Sequence, residues 1–281
     1  SDLFKGGDGN DTITISTGDG INMDELEGEG GDDTFIINTS TENQTKMIGG
    51  HNNQQNGDTV DMSNLGVNEA VKVELTEVNT EIKTIVGNKL LGVLNGIENI
   101  IGTQGNDDIK GNSEKNIIDG EGGDDILRLS KGGDDIYGGT GFDELNMETI
   151  TNAADVDLQK NVIKDKTEGG EIGSGSKVYE IEKIYGTSYS DIYQLNEEKN
   201  EVDGNGGINT LTYIDYTYEI KVDLSKTDYQ IVGTTINGNI DEDKLSNIHN
   251  VIGSNQKDIL IGSDATNELF GGMSNDVLNG G

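Results

Sequence analysis

The sequence predicts an all-β solenoid, a coil of short parallel strands that stack on one another along the chain. The first observation is a nine-residue repeat that runs without a break from Gly102 to Asn146. The second is that the sixth residue of each unit is Asp or Asn and the eighth is a large aliphatic residue. The third is that glycine makes up 42 of the 281 residues, while proline and cysteine are absent. Glycine-rich turns that alternate with very short strands favour a repeat architecture with a narrow core.

Charge and composition exclude several classes of protein. Asp and Glu number 53 against 19 Lys and Arg, which gives a formal net charge of −34. Arg128 is the one arginine, so the cationic surface that a nucleic acid requires is missing. No apolar run is long enough to cross a bilayer, and we expect no membrane insertion by this segment. With no cysteine and two histidines, neither a disulfide nor a histidine-rich zinc or iron site can form within the chain.

The repeat units share one frame. From Gly102 they read GTQGNDDIK, GNSEKNIID, GEGGDDILR, LSKGGDDIY and GGTGFDELN. Position six holds Asp107, Asn116, Asp125, Asp134 and Asp143, always two residues before Ile or Leu. A disordered acidic chain, the other class that this composition allows, does not keep such a register.

Longer segments interrupt the repeats at regular intervals. We expect one continuous solenoid over 1–281, with nonapeptide blocks at 1–36, 49–61, 102–146, 186–212 and 253–281 and inserts at 62–101, 147–185 and 213–252. Each insert carries an alternating strand early (VKVEL, ADVDL, IKVDL) and ends in a matching apolar segment (IENIIG, IEKIYG, IHNVIG). We expect the inserts to continue the coil as longer strands without metal. Because both ends fall inside a repeat, we expect a fragment of a longer array.

The spacing of the aspartates predicts a metal. Two units make one coil, so sixth positions 18 residues apart should stack, as in Asp107 with Asp125. Two unit charges about 4 Å apart repel by about 1 kcal/mol in water and by about 4 kcal/mol at an effective dielectric of 20. A cation between them reverses the sign of this interaction. Carboxylate and turn carbonyl oxygens suit Ca²⁺ better than Mg²⁺, so we expect several Ca²⁺ ions whose binding is coupled to folding.

The pattern GGxGxDxUx, in which U is a large apolar residue, resembles the RTX (repeats-in-toxin, haemolysin-type) calcium-binding β-roll family. GGDGNDTIT at 6–14 and GGTGFDELN at 138–146 fit every fixed position. The resemblance implies a right-handed parallel β-roll or β-helix solenoid with Ca²⁺ bound in its turns. It places the Ca²⁺ ligands at the sixth-position aspartates, which are Asp11, Asp24, Asp33, Asp107, Asp125, Asp134, Asp143, Asp258 and Asp276. A neutral amide takes this position, and predicts weaker sites, at Asn116, Asn200, Asn209 and Asn267.

The same resemblance implies secretion by a type I system as an unfolded chain that folds in external calcium. We expect a structural segment of a secreted bacterial cell-surface protein of S-layer or adhesin type, with self-assembly or cell-surface polysaccharide as candidate partners. The alternatives are the RTX portion of a pore-forming toxin and that of a secreted protease or lipase. No HExxH, GxSxG or P-loop pattern occurs, so we expect no enzyme activity. His249 fills the slot of Glu98 and Glu182 in the other inserts and is expected at the surface.

Overall fold

The computed structural model describes residues 2–16, 24–38, 45–52, 55–76, 80–166, 172 and 175–281. All the regular secondary structure within these ranges is β-strand, and most strand pairings are parallel. The predicted all-β β-roll fold is therefore confirmed. These ranges contain no helix that could cross a membrane. The chain divides into two compact units: unit 1 is Ser1–Glu144 with Tyr179–Ile181, and unit 2 is Leu145–Val178 with Glu182–Gly281. A single continuous solenoid over the whole chain stays a prediction.

Unit 1 builds two sheets. Its strands are β1 (Leu3–Asp8), β2 (Thr12–Ile15), β3 (Glu25–Gly30), β4 (Thr34–Ile37), β5 (Lys46–Asn52), β6 (Thr59–Asp61), β7 (Val71–Glu74), β8 (Thr80–Thr84), β9 (Leu90–Asn95), β10 (Asn99–Ile101), β11 (Asp108–Lys110), β12 (Ile117–Asp119), β13 (Ile126–Arg128) and β14 (Asp135–Tyr137). One sheet has the order β1-β3-β5-β9-β8-β7-β11-β13 and the other β2-β4-β6-β10-β12-β14. Strands of consecutive nonapeptides therefore alternate between the two sheets.

Unit 2 contains the remaining strands, except for two of their terminal residues. These are β15 (Glu144–Asn146), β16 (Ala154–Asp157), β17 (Val162–Asp165), β18 (Ser176–Tyr179), β19 (Lys183–Tyr185), β20 (Ile192–Gln194), β21 (Asn200–Asp203), β22 (Thr210–Thr212), β23 (Lys221–Asp223), β24 (Gln230–Thr234), β25 (Ile240–Ser246), β26 (Asn250–Ile252), β27 (Ile259–Ile261), β28 (Glu268–Phe270) and β29 (Val277–Asn279). Their orders are β15-β19-β21-β25-β24, β18-β17-β16-β20-β22-β26-β28 and β23-β27-β29. The first residue of β15 and the last residue of β18 are assigned to unit 1.

The core follows the nine-residue repeat. Ile109 on β11 pairs in parallel with Leu127 on β13, and Ile118 on β12 pairs with Ile136 on β14, both at the predicted separation of 18 residues. All four of these eighth-position side chains are fully buried. Burial of one such side chain contributes roughly 1.5–3 kcal/mol. The repeat thus sets both the strand pairing and the packing of the core.

The inserts differ from expectation. The predicted early strands exist as β7, β16 and β23, and they pair in parallel with β11, β20 and β27, but each insert also contains an antiparallel strand. In the first insert β8 is antiparallel to both β7 and β9, while β9 pairs in parallel with β5 and β7 with β11. In the second insert β17 is likewise antiparallel to β16 and β18, and in the third β24 is antiparallel to β25. The inserts thus continue the coil through their early strands, and the antiparallel strands beside them were not predicted.

Tight turns explain the antiparallel pairing. Asn88, Asn161 and Gly238 lie between the strands of the three inserts and have φ of 51°, 55° and 83°. Residues that accept a positive φ permit the short hairpin connections that reverse a strand beside its neighbour. The dipeptides Gly87-Asn88 and Asn237-Gly238 were the signal in the sequence that could have predicted two of these reversals.

Candidate calcium sites in the glycine-rich turns

The sixth-position residues form a ladder in which each side chain contacts the backbone of the preceding coil. Asp125 Oδ1 accepts a hydrogen bond from the Asp107 N–H at 2.7 Å, and Asp143 Oδ1 accepts one from the Asp125 N–H at 2.9 Å. Asp33 Oδ1 accepts likewise from the Asp11 N–H at 2.8 Å. The same bond joins further pairs, namely Asp2 to Asp24, Asn116 to Asp134, Asp191 to Asn209, and Asp258 to Asp276. The predicted stacking of sixth positions is therefore confirmed.

The ladder also includes residues from outside the regular repeats. The Asp33 N–H donates to Asp58 Oδ1 at 2.7 Å, and the Asp58 N–H donates to Glu98 Oε2 at 2.8 Å. The Asn209 N–H lies 3.4 Å from His249 Nδ1. Glu98 and His249 thus take the sixth-position role at the ends of two inserts. Their placement two residues before a core aliphatic residue, in IENIIG and IHNVIG, was the signal for this role.

Some ladder carboxylates keep one buried oxygen without a donor. Among the described residues, Oδ2 of Asp11, Asp33 and Asp125 is buried and accepts no hydrogen bond. An ionised carboxylate can only accept hydrogen bonds, so a buried oxygen without a donor costs about 1–3 kcal/mol or more. These three atoms require either a proton or a cation.

A backbone carbonyl oxygen lies close to the same point. A Cβ built on Gly6 would sit 2.6 Å from Asp11 Oδ2 and 2.9 Å from the carbonyl oxygen of Gly28 on the next coil. At Gly120 a Cβ would collide with Asp125 Oδ2 and with the carbonyl oxygen of Gly138. Glycine at position one therefore leaves room where carboxylate and carbonyl oxygens converge. This is the oxygen-rich donor set that suits Ca²⁺.

The turns fall into two classes according to their second residue. In the first class, which we call open turns, the second residue has a positive φ; the members are Gly7, Glu29, Glu121, Gly139, Asn205 and Gly272. In the second class, which we call capped turns, the second residue donates its backbone N–H to the side chain of the sixth; the members are Thr103, Asn112, Ser130, Thr187, Ser254 and Ser263. The unsatisfied oxygens of Asp11, Asp33 and Asp125 all belong to open turns.

Hydroxyl groups complete most of the capped turns. Asp107 Oδ2 accepts the Thr103 N–H at 2.6 Å, and Asp107 Oδ1 accepts the Thr103 hydroxyl at 2.9 Å. Ser254 donates its N–H to Asp258 Oδ2 at 2.7 Å and its hydroxyl to Asp258 Oδ1 at 2.9 Å. Hydrogen bonds to a carboxylate are about twice as strong as neutral ones. The carboxylate of a capped turn is thus held by the protein itself.

Burial without a cation shifts the pKa of the ladder aspartates upward. Burial, together with the nearby carboxylates of Asp107 and Asp143, raises the pKa of Asp125 to about 8. Burial also raises the pKa of Asp107 to about 6, although hydrogen bonds from Thr103 oppose this shift. Burial likewise raises the pKa of Asp33. A cation beside these carboxylates would favour their charged forms.

The other predicted ligands are placed less completely. Asp24 accepts the Asp2 N–H at 2.9 Å, but residues 19–23 of its unit lie outside the described residues. Asp276 is half-buried and accepts the Asp258 N–H at 3.0 Å. No group of three or more His, Cys, Asp or Glu side chains suited to a metal occurs in the described part of the chain. A Ca²⁺ site would therefore combine one or two carboxylates with backbone carbonyl oxygens.

Comparison with known families agrees with this geometry. The family model of the RTX calcium-binding nonapeptide repeat (4 copies) matches residues 1–23, 94–127 and 252–281. No curated protein matches the chain. The matched stretches include the open turns of Asp11, Asp125 and Asp276 and the capped turns of Asp107 and Asp258. These three stretches of the chain are therefore RTX calcium-binding nonapeptide repeats, as expected from the sequence.

Proposed function

We propose that the chain is a non-catalytic, calcium-binding structural module of a secreted bacterial cell-surface protein, of S-layer or adhesin type. The observation that carries the calcium part is the set of buried carboxylate oxygens without a donor at Asp11, Asp33 and Asp125. Each lies beside a glycine, and at Asp11 and Asp125 a carbonyl oxygen of the neighbouring coil lies beside that glycine as well. Proteins with RTX repeats are typically secreted, which supports the extracellular setting.

Calcium would act here as part of the folded structure. A narrow core with one aliphatic side chain per unit offsets little of the roughly 1–2 kcal/mol of backbone entropy that each ordered residue loses. Binding of an ion to the folded state alone stabilises that state by about 2.7 kcal/mol at an ion concentration one hundred times Kd. External calcium, but not the low free calcium inside a cell, would then complete folding, in keeping with the type I route.

The surface role rests on the acidic charge and the modular inserts. A net charge of −34 keeps calcium-free chains apart, and bound Ca²⁺ reduces this repulsion. Self-association in calcium, or binding to cell-surface polysaccharide, would then be the module's contribution to a surface layer.

Far-UV circular dichroism tests the calcium-coupled folding. The chain is placed in chelator and titrated with Ca²⁺, and in parallel with Mg²⁺ as the control ion. We expect strand signal to grow with Ca²⁺ and not with Mg²⁺, because Mg²⁺ demands near-ideal octahedral geometry and keeps its waters. Equal responses to both ions, or full strand signal in chelator, would refute calcium-coupled folding. Sedimentation in millimolar calcium tests the surface role. A chain that stays monomeric and does not bind cell-surface polysaccharide would contradict that role.

A further inference from the structure

We propose that the second residue of each nonapeptide decides whether its turn needs calcium. Open turns with a sixth-position Asp would bind the ion, whereas capped turns would fold without it. This inference rests on the proposed calcium binding, but it separates aspartates that the repeat pattern treats as equivalent. It assigns ions to the turns of Asp11, Asp33, Asp125, Asp143 and Asp276, and none to those of Asp107, Asp134 and Asp258.

The backbone N–H of the second residue takes a different partner in each class. In the capped turn of Ser130, both the N–H and the hydroxyl reach Asp134 Oδ2, at 3.3 and 2.7 Å. In the open turn of Glu121, the N–H instead donates to Asp119 Oδ1 at 3.0 Å. The positive φ of 68° at Glu121 accompanies this change of partner. Asp125 is therefore left without the donors that Asp134 has.

One open turn shows what fills the space when no cation is required. Asn209 follows the open turn of Asn205, and its amide Nδ2 donates to the carbonyl oxygens of Gly204, Gly206 and Asn247 at 2.8, 3.0 and 2.9 Å. Two carbonyls of the open turn, and that of Asn247 on the adjacent coil, thus converge on the second side-chain atom of position six. With Asp at this position, that atom is an acceptor that faces other acceptors, and a cation resolves the conflict.

The test compares Asp125→Asn in an open turn with Asp134→Asn in a capped turn, both in the full chain. Calorimetric titration with Ca²⁺ should show one ion fewer per chain for Asp125→Asn and an unchanged number for Asp134→Asn. The new amide of Asp125→Asn can donate to carbonyls as Asn209 does. We therefore expect its midpoint of urea unfolding in chelator to lie above that of the parent chain.

Two results would overturn the proposal: the same loss of ions in both variants, or no loss in either. Hydrogen exchange on the unaltered chain provides a measurement that needs no variant to fold. The amides of Thr103, Ser130 and Ser254 should be protected in chelator as well as in calcium, while the segment 120–125 should gain protection only with calcium. Uniform gain across both classes would contradict the division. If no segment responds and no ion binds, the proposed function itself fails.

A separate observation points to a cation site outside the nonapeptides. Asp241 and Asp243 on β25 are fully buried, and their Oδ2 atoms accept the hydroxyls of Tyr218 at 2.8 Å and Tyr213 at 3.0 Å. Asn200 on β21 pairs with Asp243 in parallel register and is 2% exposed. Oδ1 of all three residues is buried and has no hydrogen-bond partner among the described residues.

We infer that these three oxygens bind one divalent cation of the Ca²⁺ type. Two buried carboxylates, two residues apart on the same strand, are costly without a compensating charge. The other charged group that acts on Asp241 is itself acidic, Glu197. The unpartnered amide oxygen of Asn200 adds a neutral ligand of the kind that Ca²⁺ accepts. A proton shared between the two carboxylates is the competing arrangement.

Terbium, a luminescent substitute for Ca²⁺, tests this site because tyrosines adjoin it. Excitation of tyrosine should give terbium emission that falls strongly in Asp243→Asn and persists in the control Asp228→Asn, whose side chain is exposed. Asn200→Ala, which keeps both carboxylates, should shift the terbium titration to higher concentration. Unchanged emission and midpoint in Asp243→Asn and Asn200→Ala would refute the cation and favour the shared proton.

Discussion

Asn209 offers a way to create a calcium site in a turn that now lacks one. Its amide Nδ2 donates two hydrogens that are shared among the carbonyls of Gly204, Gly206 and Asn247. Asn209→Asp removes these bonds and turns a donor into an acceptor of nearly the same size. Each lost hydrogen bond costs about 1 kcal/mol, so we expect a loss of about 2–3 kcal/mol in chelator. For a unit of this size that corresponds to a fall in Tm of roughly 4–12 °C.

Calcium should reverse most of this loss. The new carboxylate, together with carbonyls that already converge on it, forms an open aspartate turn, and an ion at one hundred times Kd restores about 2.7 kcal/mol. The assay is thermal unfolding of parent and variant in chelator and in millimolar calcium, with titration calorimetry to count one additional ion. The matched control is Asn267→Asp, in the capped turn where the Ser263 N–H already donates to Asn267 Oδ1 at 2.8 Å. It should lose stability equally in both conditions. A calcium-independent loss in Asn209→Asp would refute the reasoning.

Three further predictions concern the same turns and their core. Burial raises the pKa of Asp125 to about 8 from an ordinary 3.8, so the calcium-free fold should lose stability as pH rises from about 4 to 8. A free energy of unfolding in chelator, measured with urea, that increases over this pH range would contradict the prediction. Gly120→Ala should abolish one ion and cost roughly 1–3 kcal/mol, because the methyl group meets Asp125 Oδ2 and the Gly138 carbonyl oxygen. Gly66→Ala, with no atom within 4 Å, is its control, and equal unfolding midpoints would count against the packing argument. Leu127→Ala should lower the free energy of unfolding in calcium by about 2–5 kcal/mol, measured with urea, because Leu127 is fully buried. A loss below about 1 kcal/mol would mean that the eighth-position side chains do not form the core.

The sequence was sufficient to predict the coil and the ladder because both follow from a strict local period. With two nine-residue units per coil, residues 18 apart must pair, as Ile109 does with Leu127. The inserts lack that period, and strand direction within them depends on short turns such as Asn237-Gly238. A two-residue turn signal is weaker in the sequence than the long alternating strands around it. The antiparallel strands of the inserts were therefore not predicted.

The two turn classes were also beyond the repeat pattern. Thr103 and Ser254 are visible as departures from glycine at position two, but their meaning depends on backbone conformation. A hydroxyl residue with an ordinary φ directs its N–H and side chain to the carboxylate, whereas Glu121 keeps a positive φ although it is not glycine. Residue type alone would have placed Glu121 outside the open class. The structure thus distinguishes two classes of turn that have the same aspartate spacing in the sequence.

The most direct test of the account is a crystal structure of the chain grown in calcium, with anomalous diffraction recorded at long wavelength to locate the ions. We expect anomalous peaks beside Oδ2 of Asp11, Asp33 and Asp125, each within about 2.3–2.6 Å of that oxygen. We expect no peak at Asp107 or Asp258, where Thr103 and Ser254 hold the carboxylate. Peaks at capped and open turns alike would contradict the role of the second residue, and no peak at any turn would contradict calcium binding itself.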